Sequence, residues 1–316
     1  MAIPAHFISC DWGTTNFRLR VVATDTLKVL SEHQTDQGIR TLFHHFQQQS
    51  DLEQFQFFER YLSEQVSLLP VSEQSYPLIV SGMASSSIGL QELPYADFPF
   101  NPEGIDLATA IINLSGGTRA LLVSGVKSST GMIRGEEVQA MGLSDHLSVY
   151  GEGVLLLPGT HSKHMLYAGG KFVALTNFMT GELFEVLSQR SILASSVQKE
   201  AWSDEVAMHF RDGLQLGFAG DLTASLLMVR ARDVIRKVAP SDNYFFLSGL
   251  LIGDEVRHLK PSEGSIFLAA PDPLFTMYRM ALQSFFDKDK LVLFDGAAME
   301  TALLIGHKKI MLRHAE

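Results

Sequence analysis

Phe7-Ile8-Ser9-Cys10-Asp11-Trp12-Gly13-Thr14-Thr15-Asn16-Phe17-Arg18-Leu19-Arg20-Val21-Val22 is the stretch that decides how this chain folds. Two runs rich in β-branched and aromatic residues flank a Gly-Thr-Thr-Asn turn, and one acid stands at the end of the first run. A turn this tight and polar, entered from a nearly apolar strand, presents backbone N–H groups and hydroxyls to an anion such as a phosphate. Asp11 is then placed to hold the Mg²⁺ that accompanies a nucleotide. An ordinary hairpin with an Asx-type turn accounts for D-x-G-T-T alone equally well.

Working outward, Phe7–Cys10, Asn16–Ala23 and Lys28–Glu32 read as an antiparallel meander. A helix is expected over Gln54–Leu69, with Phe55, Phe57 and Phe58 on one buried face. Buried strands follow at 77–83 and 120–126, then a loop over Ser128–Gly135 and a helix opening at Glu136. At Gly151 the pattern starts again. Val154–Leu157, the turn Pro158-Gly159-Thr160-His161-Ser162-Lys163 and His164–Ala168 echo the first hairpin at an offset of about 146 residues, and Lys171–Asn177 adds a third strand. Two halves that open alike suggest two similar domains facing one cleft. Helices are expected at Gly181–Ser188, Asp204–Ala219 and Leu222–Lys237, and a strand at Tyr244–Ser248 turning at Gly249 into a helix. The strand 265–270, a helix from Pro273 to Phe286, the strand Leu291–Asp295 and a helix from Ala297 complete an α/β pattern.

Composition narrows the function. Of 316 residues 46% are hydrophobic, with no low-complexity tract, as in a fully folded protein. A net charge of −10 without a Lys/Arg cluster argues against nucleic acid as a partner. No apolar run approaches a membrane span, and the N-terminus lacks the basic and apolar regions of a signal peptide. The single Cys10, within an apolar strand, fits a core position in a reducing, cytoplasmic protein. An acidic protein that binds phosphates must do so through turns, helix N-termini and a few placed cations. His161 and His164 lack a third ligand at suitable spacing, so no zinc cage is expected.

With Asp11-Trp12-Gly13-Thr14-Thr15-Asn16, Arg134-Gly135-Glu136-Glu137, Leu157-Pro158-Gly159-Thr160-His161-Ser162-Lys163, Met179-Thr180-Gly181-Glu182-Leu183 and Ser248-Gly249-Leu250-Leu251-Ile252-Gly253 in this order, the chain resembles the 2-dehydro-3-deoxygalactonokinases nearly end to end. Ser81-Gly82-Met83 and Pro94-Tyr95 extend the resemblance; Ser85 stands where that family usually has glycine, and Leu90 where it usually has tryptophan. The resemblance implies a sugar-acid kinase of the actin/hexokinase/Hsp70 ATPase superfamily. That means an α/β fold of two similar actin-like ATPase (ribonuclease H-like) domains facing a nucleotide cleft, at about 1–145 and 146–316, with the helix at about 297–316 free to return to the first. It implies ATP and Mg²⁺ as cofactors and a small sugar acid as substrate, and leaves the oligomeric state open.

Site expectations follow. Asp11 is the metal residue; Gly13, Thr14, Thr15, Asn16, Gly159, Thr160, His161 and Lys163 take the phosphates; Ser248 and Gly249, where a strand is expected to open a helix, lie on the adenosine side. Glu136 is the favoured base, with Glu137 in reserve, although acids in a first helical turn also simply complement its dipole. Arg134 suits the transferring phosphoryl or the sugar-acid carboxylate. Gly82, Met83, Ser85 and Ser86, after a strand, suit a polyol; Thr180, read as a helix cap, and Glu182 join the substrate set. Two rivals stay open: an exopolyphosphatase-like or NTP hydrolase of the same superfamily, with Glu136 positioning water, and a non-enzymatic actin-like ATP-binding protein.

Overall fold

The computed structural model describes residues 3–259 and 264–314; Met1 and Ala2, and the last two residues of the expected C-terminal helix, lie outside it. β1 (His6–Trp12) is buried along nearly its whole length because it is an interior strand of the sheet, so its sequence is mostly apolar, with Ser9 and Asp11 the polar interruptions, instead of strictly alternating. It pairs antiparallel with β2 (Phe17–Ala23), which pairs antiparallel with β3 (Val29–Thr35). On its other side it runs parallel to β4 (Leu78–Gly82), so Asp11 lies beside Ser81 and Trp12 beside Gly82. The short strand β5 (Ala96–Asp97), β6 (Thr109–Asn113) and β7 (Arg119–Val123) follow, and the large sheet has the order β3-β2-β1-β4-β7-β6. β8 (Val126–Lys127) and β9 (Met132–Ile133) form a small sheet with β5.

Helices α1 (Ile39–Gln47) and α2 (Gln54–Ser67) cover this sheet. Ile39, Leu42, Phe58, Leu62 and Val66 join Trp12 and Phe17 in one core. The expected aromatic face of α2 divides, because residues 55, 57 and 58 point about 100° apart per step: Phe58 is buried, Phe57 partly so, and Phe55 is exposed. Helix α3 (Glu136–Tyr150) crosses a late-chain helix so closely that a Cβ on Gly142 would meet the carbonyl of Ala302, and one on Gly306 that of Val138. Cys10 is fully buried, and burial together with Asp11 drives its thiol pKa up, so it remains an inert core thiol.

The second half repeats the plan. β10 (Gly153–Leu157), β11 (Ser162–Ala168), β12 (Lys171–Phe178), β13 (Ser265–Ala269) and β14 (Leu291–Phe294) stand in the order β12-β11-β10-β13-β14. As in the first sheet, β10 and β11 are antiparallel, and β10–β13 and β13–β14 are parallel. Two sheets that share this order make the fold α/β with two similar domains of the actin-like ATPase type. By contacts the chain divides into one unit of residues up to Val149, Gly169–Leu175 and Met299 onward, and another of Tyr150–Ala168 and Thr176–Ala298.

Helices α4 (Thr180–Arg190), α5 (Ala207–Phe218), α6 (Leu222–Val234), α7 (Pro240–Val256) and α8 (Leu274–Phe285) belong to the second unit, and α9 (Gly296–His314) ends the described chain. The expected strand at Tyr244–Ser248 is absent: Pro240 at a first helical position starts one continuous helix through Val256. Its glycines are packing positions. A Cβ on Gly249 would lie 2.1 Å from the carbonyl of Phe210, one on Gly253 2.3 Å from that of Leu214, and one on Gly217 of α5 2.0 Å from that of Leu250. None of the described helices is long and apolar enough to cross a membrane.

This contact yields a prediction. Gly217→Ala must push two backbones apart, at a cost of about 1–3 kcal/mol, and should lower the thermal midpoint by several degrees. Gly116→Ala, where a Cβ meets nothing within 4 Å, should not. Equal midpoints for the two variants would show that the α5–α7 contact is not a constraint.

Candidate functional site

In the first unit the functional side chains gather at the C-terminal ends of β1 and β4. Asp11 is the penultimate residue of β1, its side chain about a third exposed and 3.5 Å from the Arg18 guanidinium. Burial raises its pKa, Arg18 pulls it down, and Glu300 pushes it up again. Arg18 also reaches Glu300 at 3.0 Å, and Arg20, nearly buried, pairs with Glu32 at 2.5 Å and with Glu300. The turn after Asp11 closes when the Gly13 N–H donates to the Asn16 carbonyl at 2.9 Å. The carbonyls of Gly13, Thr14 and Thr15 accept from the N–H groups of Ile39, Arg40 and Gly38 at 3.0–3.1 Å. Gly38, which sequence reasoning missed, has no room for a Cβ: it would lie 2.3–2.4 Å from the backbone of Thr14 and Thr15. The start of α1 therefore sits directly on the turn, and the N–H groups of Thr14, Thr15 and Asn16 donate to no protein acceptor among the described residues. The first N–H groups of the helix are spent on the turn's carbonyls, so the donors left for an anion are those of the turn.

Gly82 ends β4 at φ +89°, where a Cβ would strike the Trp12 carbonyl, and Gly135, at φ +111°, lies against Gly82. These two positions require glycine, and they bring Arg134-Gly135-Glu136 to the strand ends. Arg134 is held rigidly. Its Nη1 donates to the carbonyl and hydroxyl oxygens of Ser85, each at 2.5 Å, and its Nε to the Tyr95 hydroxyl at 3.3 Å, with the guanidinium 4.1 Å from the Tyr95 ring centroid. Ser85 and Ser86 are buried and their hydroxyls serve the protein; that of Ser86 donates to the Met83 carbonyl at 2.7 Å.

The two acids differ. Glu136 is half-exposed and accepts the Arg134 N–H at 3.1 Å. Glu137 is fully buried and accepts the Gly135 N–H with both oxygens, at 2.7 and 2.8 Å. Burial first, then the neighbouring Glu136 charge, push the Glu137 pKa to about 8.

The second unit repeats the turn-and-helix construction. Gly181 of α4 abuts the turn as Gly38 does: a Cβ would lie 2.5 Å from the Gly159 carbonyl and 2.8 Å from the Thr160 Cα. The Glu182 N–H donates to the Thr160 carbonyl at 2.9 Å, and the exposed His161 and Glu182 side chains pair at 2.5 Å. Lys163 lies within β11, half-buried. Thr180 does not cap α4. The cap position is Met179, and the Thr180 hydroxyl donates to Glu255, a carboxylate that the sequence reading missed although it falls on the buried stripe of α7.

Ser248 and Gly249 require correction. They lie in the middle of α7, their backbone amides engaged in the helix, Ser248 buried with its hydroxyl against Met277 Sδ at 3.6 Å and Gly249 against α5. They present no strand-end amides to a nucleotide. A cavity of about 290 Å³ in this unit, among Phe184, Glu185, Ser188, Val197, Lys199 and Tyr244, shares no residue with the turn.

Asp11, a hard oxygen donor, partly exposed beside free turn amides, fits a largely hydrated Mg²⁺. Among the described residues no group of three or more His, Cys, Asp or Glu side chains is arranged to hold a metal ion, so Mg²⁺ would rest on one carboxylate with water and phosphate oxygens.

The chain is similar to known proteins over nearly its whole length. A probable 2-dehydro-3-deoxygalactonokinase of Rhizobium meliloti is 30% identical over 297 residues, 90% of this chain and 91% of that protein. The 2-dehydro-3-deoxygalactonokinase of Escherichia coli is 26% identical over 89% of this chain and 90% of its own. The crystal structure of a candidate 2-dehydro-3-deoxygalactonokinase from Sinorhizobium meliloti superposes with a TM-score of 0.80 at 26% identity, covering 95% of each chain. Residues 11–304 match the family described as 2-keto-3-deoxy-galactonokinase, and with the strand-end acid, the two glycine-seated turns and the tethered arginine in place, the chain belongs to that family of sugar-acid kinases.

Proposed function

We propose that the protein transfers the γ-phosphoryl group of ATP to the C6 hydroxyl of 2-dehydro-3-deoxy-D-galactonate, in the cytoplasmic breakdown of that sugar acid. The observation that carries this reading is Arg134. Ser85 and Tyr95 hold three of its N–H groups, while Nη2 has no partner among the described residues, at the same strand ends as Asp11. A guanidinium so fixed is a receptor for a planar carboxylate. Glu136, half-exposed at the start of α3, is the group we assign to take the proton of the attacking hydroxyl. Glu137 holds the Gly135 N–H and with it the bend that presents Glu136 and Arg134.

We assign the phosphates to the amides of Thr14, Thr15 and Asn16 and to the turn at Gly159 and Thr160, with His161, Lys163 and Glu182 beside the latter. Asp11 would anchor Mg²⁺, whose contribution when bound is to offset charge on the phosphate oxygens. Gly82 and Met83 shape the wall that the sugar acid meets.

Coupled ADP release tests the reading. Turnover should require the sugar acid and fall at least about tenfold with the matching neutral sugar, since a charged hydrogen-bond partner of Arg134 is then missing. Asp11→Asn should abolish it at saturating Mg²⁺. ADP release that is indifferent to the sugar acid would show a hydrolase instead.

The two acids separate by pH. Glu136→Gln should lower kcat roughly 10²-fold with little change in nucleotide affinity. Glu137→Gln should retain most turnover. Because the folded-state pKa of Glu137 lies above its unfolded value, its neutral form favours folding below about pH 4.5 and that contribution is lost as pH rises toward 8. Replacing it should therefore raise the thermal midpoint at pH 8 and hardly at pH 5, with about 4 kcal/mol as the upper limit. A crippled Glu137→Gln enzyme beside a healthy Glu136→Gln enzyme would reverse the assignment.

A further inference from the structure

Glu255 is the most deeply buried acid of the second unit that the proposed chemistry does not use, at 1% exposure in α7. A carboxylate there is costly unless its oxygens are satisfied. Both are. Oε1 lies 2.9 Å from His164 Nε2; Oε2 accepts from the Tyr278 hydroxyl at 2.6 Å and from the Thr180 hydroxyl. Tyr278 in turn meets the Ser162 hydroxyl at 3.1 Å. Burial and the Glu255 charge raise the Tyr278 pKa well above that of an ordinary phenol, so it stays a donor.

The partners of this carboxylate share a location. Ser162 and His164 open β11, directly after the turn at Gly159–His161, and Thr180 precedes Gly181, which packs against that turn. Tyr278 belongs to α8. One buried acid thus gathers the strand leaving the turn, the helix seated on the turn and two supporting helices. Glu255 itself bonds directly to three of these elements, to β11 through His164, to α4 through Thr180 and to α8 through Tyr278.

We propose that Glu255 is a positioning residue for the second phosphate turn: by holding Thr180, His164 and, through Tyr278, Ser162, it sets the spacing between the N-terminus of α4 and the Gly159–Thr160 backbone, and so sets nucleotide affinity. This rests on the reading that the turn takes phosphates of ATP. The Thr180 hydroxyl, expected from the sequence to meet the sugar acid, is taken up by Glu255, and Arg134, the group proposed above to receive the sugar acid, lies in the other unit, so the effect belongs to nucleotide binding.

The test is calorimetric titration of the full chain with Mg·ADP, together with KM for ATP and for the sugar acid. Thr180→Val removes one donor to Glu255; its Kd for ADP and KM for ATP should rise about tenfold, with KM for the sugar acid within twofold of wild type. Thr180→Ser, which keeps the hydroxyl, should restore both. Tyr278→Phe, which leaves the backbone untouched, should shift the same two constants in the same direction, and it stands in for Thr180→Val if that variant fails to fold. Folded variants that bind ADP like wild type, or that lose sugar-acid affinity instead, overturn the role of Glu255. Wild-type protein that does not bind ADP overturns the reading of the turn itself, and the inference with it.

Discussion

The contact on which the site depends is a glycine at the start of a helix pressed onto a strand-end turn. Gly38 does this for the turn at Gly13–Asn16 and Gly181 for the turn at Gly159–His161, each with turn backbone where a Cβ would stand. In the first unit the helix start also consumes the carbonyls of the turn, through the N–H groups of Gly38, Ile39 and Arg40, and leaves its amides outward. A side chain at Gly38 or Gly181 would separate helix from turn and end that arrangement. The repeat of this contact, with the shared strand order of the two sheets, is a stronger sign of internal duplication than the Gly-Thr pair that first suggested it.

Charge in the first unit is organised around the same strand ends. Asp11, Arg18, Glu300, Arg20 and Glu32 form a chain of alternating sign that keeps a carboxylate poised beside free amides in an acidic protein. Beneath it, His307 bridges Ser9 and Ser81 at 2.7 and 2.8 Å, with burial and Arg20 lowering its pKa to about 3, so that a neutral imidazole joins β1, β4 and α9 without adding charge. Arg134 stands apart from this chain, fixed by Ser85 and Tyr95. On the proposed reading, the first unit keeps the carboxylate and amides assigned to Mg²⁺ and phosphate separate from the guanidinium assigned to the sugar acid.

The meander, the turn and both parallel strands of the first sheet were legible because buried strands are apolar runs and the polar turn interrupts them. Helix α7 was not. Tyr244-Phe245-Phe246-Leu247 has the composition of a strand, and Gly249 looks like its end. The glycine is there because α5 passes 2.1 Å from its missing Cβ, a tertiary cause with no local signature; Pro240 at the helix start was the usable clue. Helix α1 was missed because only Ile39 and Leu42 are buried in nine residues, and β6 because it is a half-exposed edge strand held by β7 alone. Asp11, Arg134 and the glutamates were visible as isolated charges among apolar or glycine residues. Glu255 also broke an apolar stripe, but that stripe emerges only once α7 is read as helix. The hydroxyls of Ser85 and Ser86 looked available in sequence and are turned inward, since only packing reveals which way a serine faces.

The central claim, that this strand-end site directs ATP to the terminal hydroxyl of a sugar acid, is tested most directly by proton-coupled phosphorus NMR of the product formed from ATP and 2-dehydro-3-deoxy-D-galactonate. Phosphate on the C6 methylene couples to two equivalent or nearly equivalent protons, and the account predicts a new phosphomonoester triplet that grows in step with ADP. Inorganic phosphate as the sole new signal, or a doublet from a secondary hydroxyl, would contradict it.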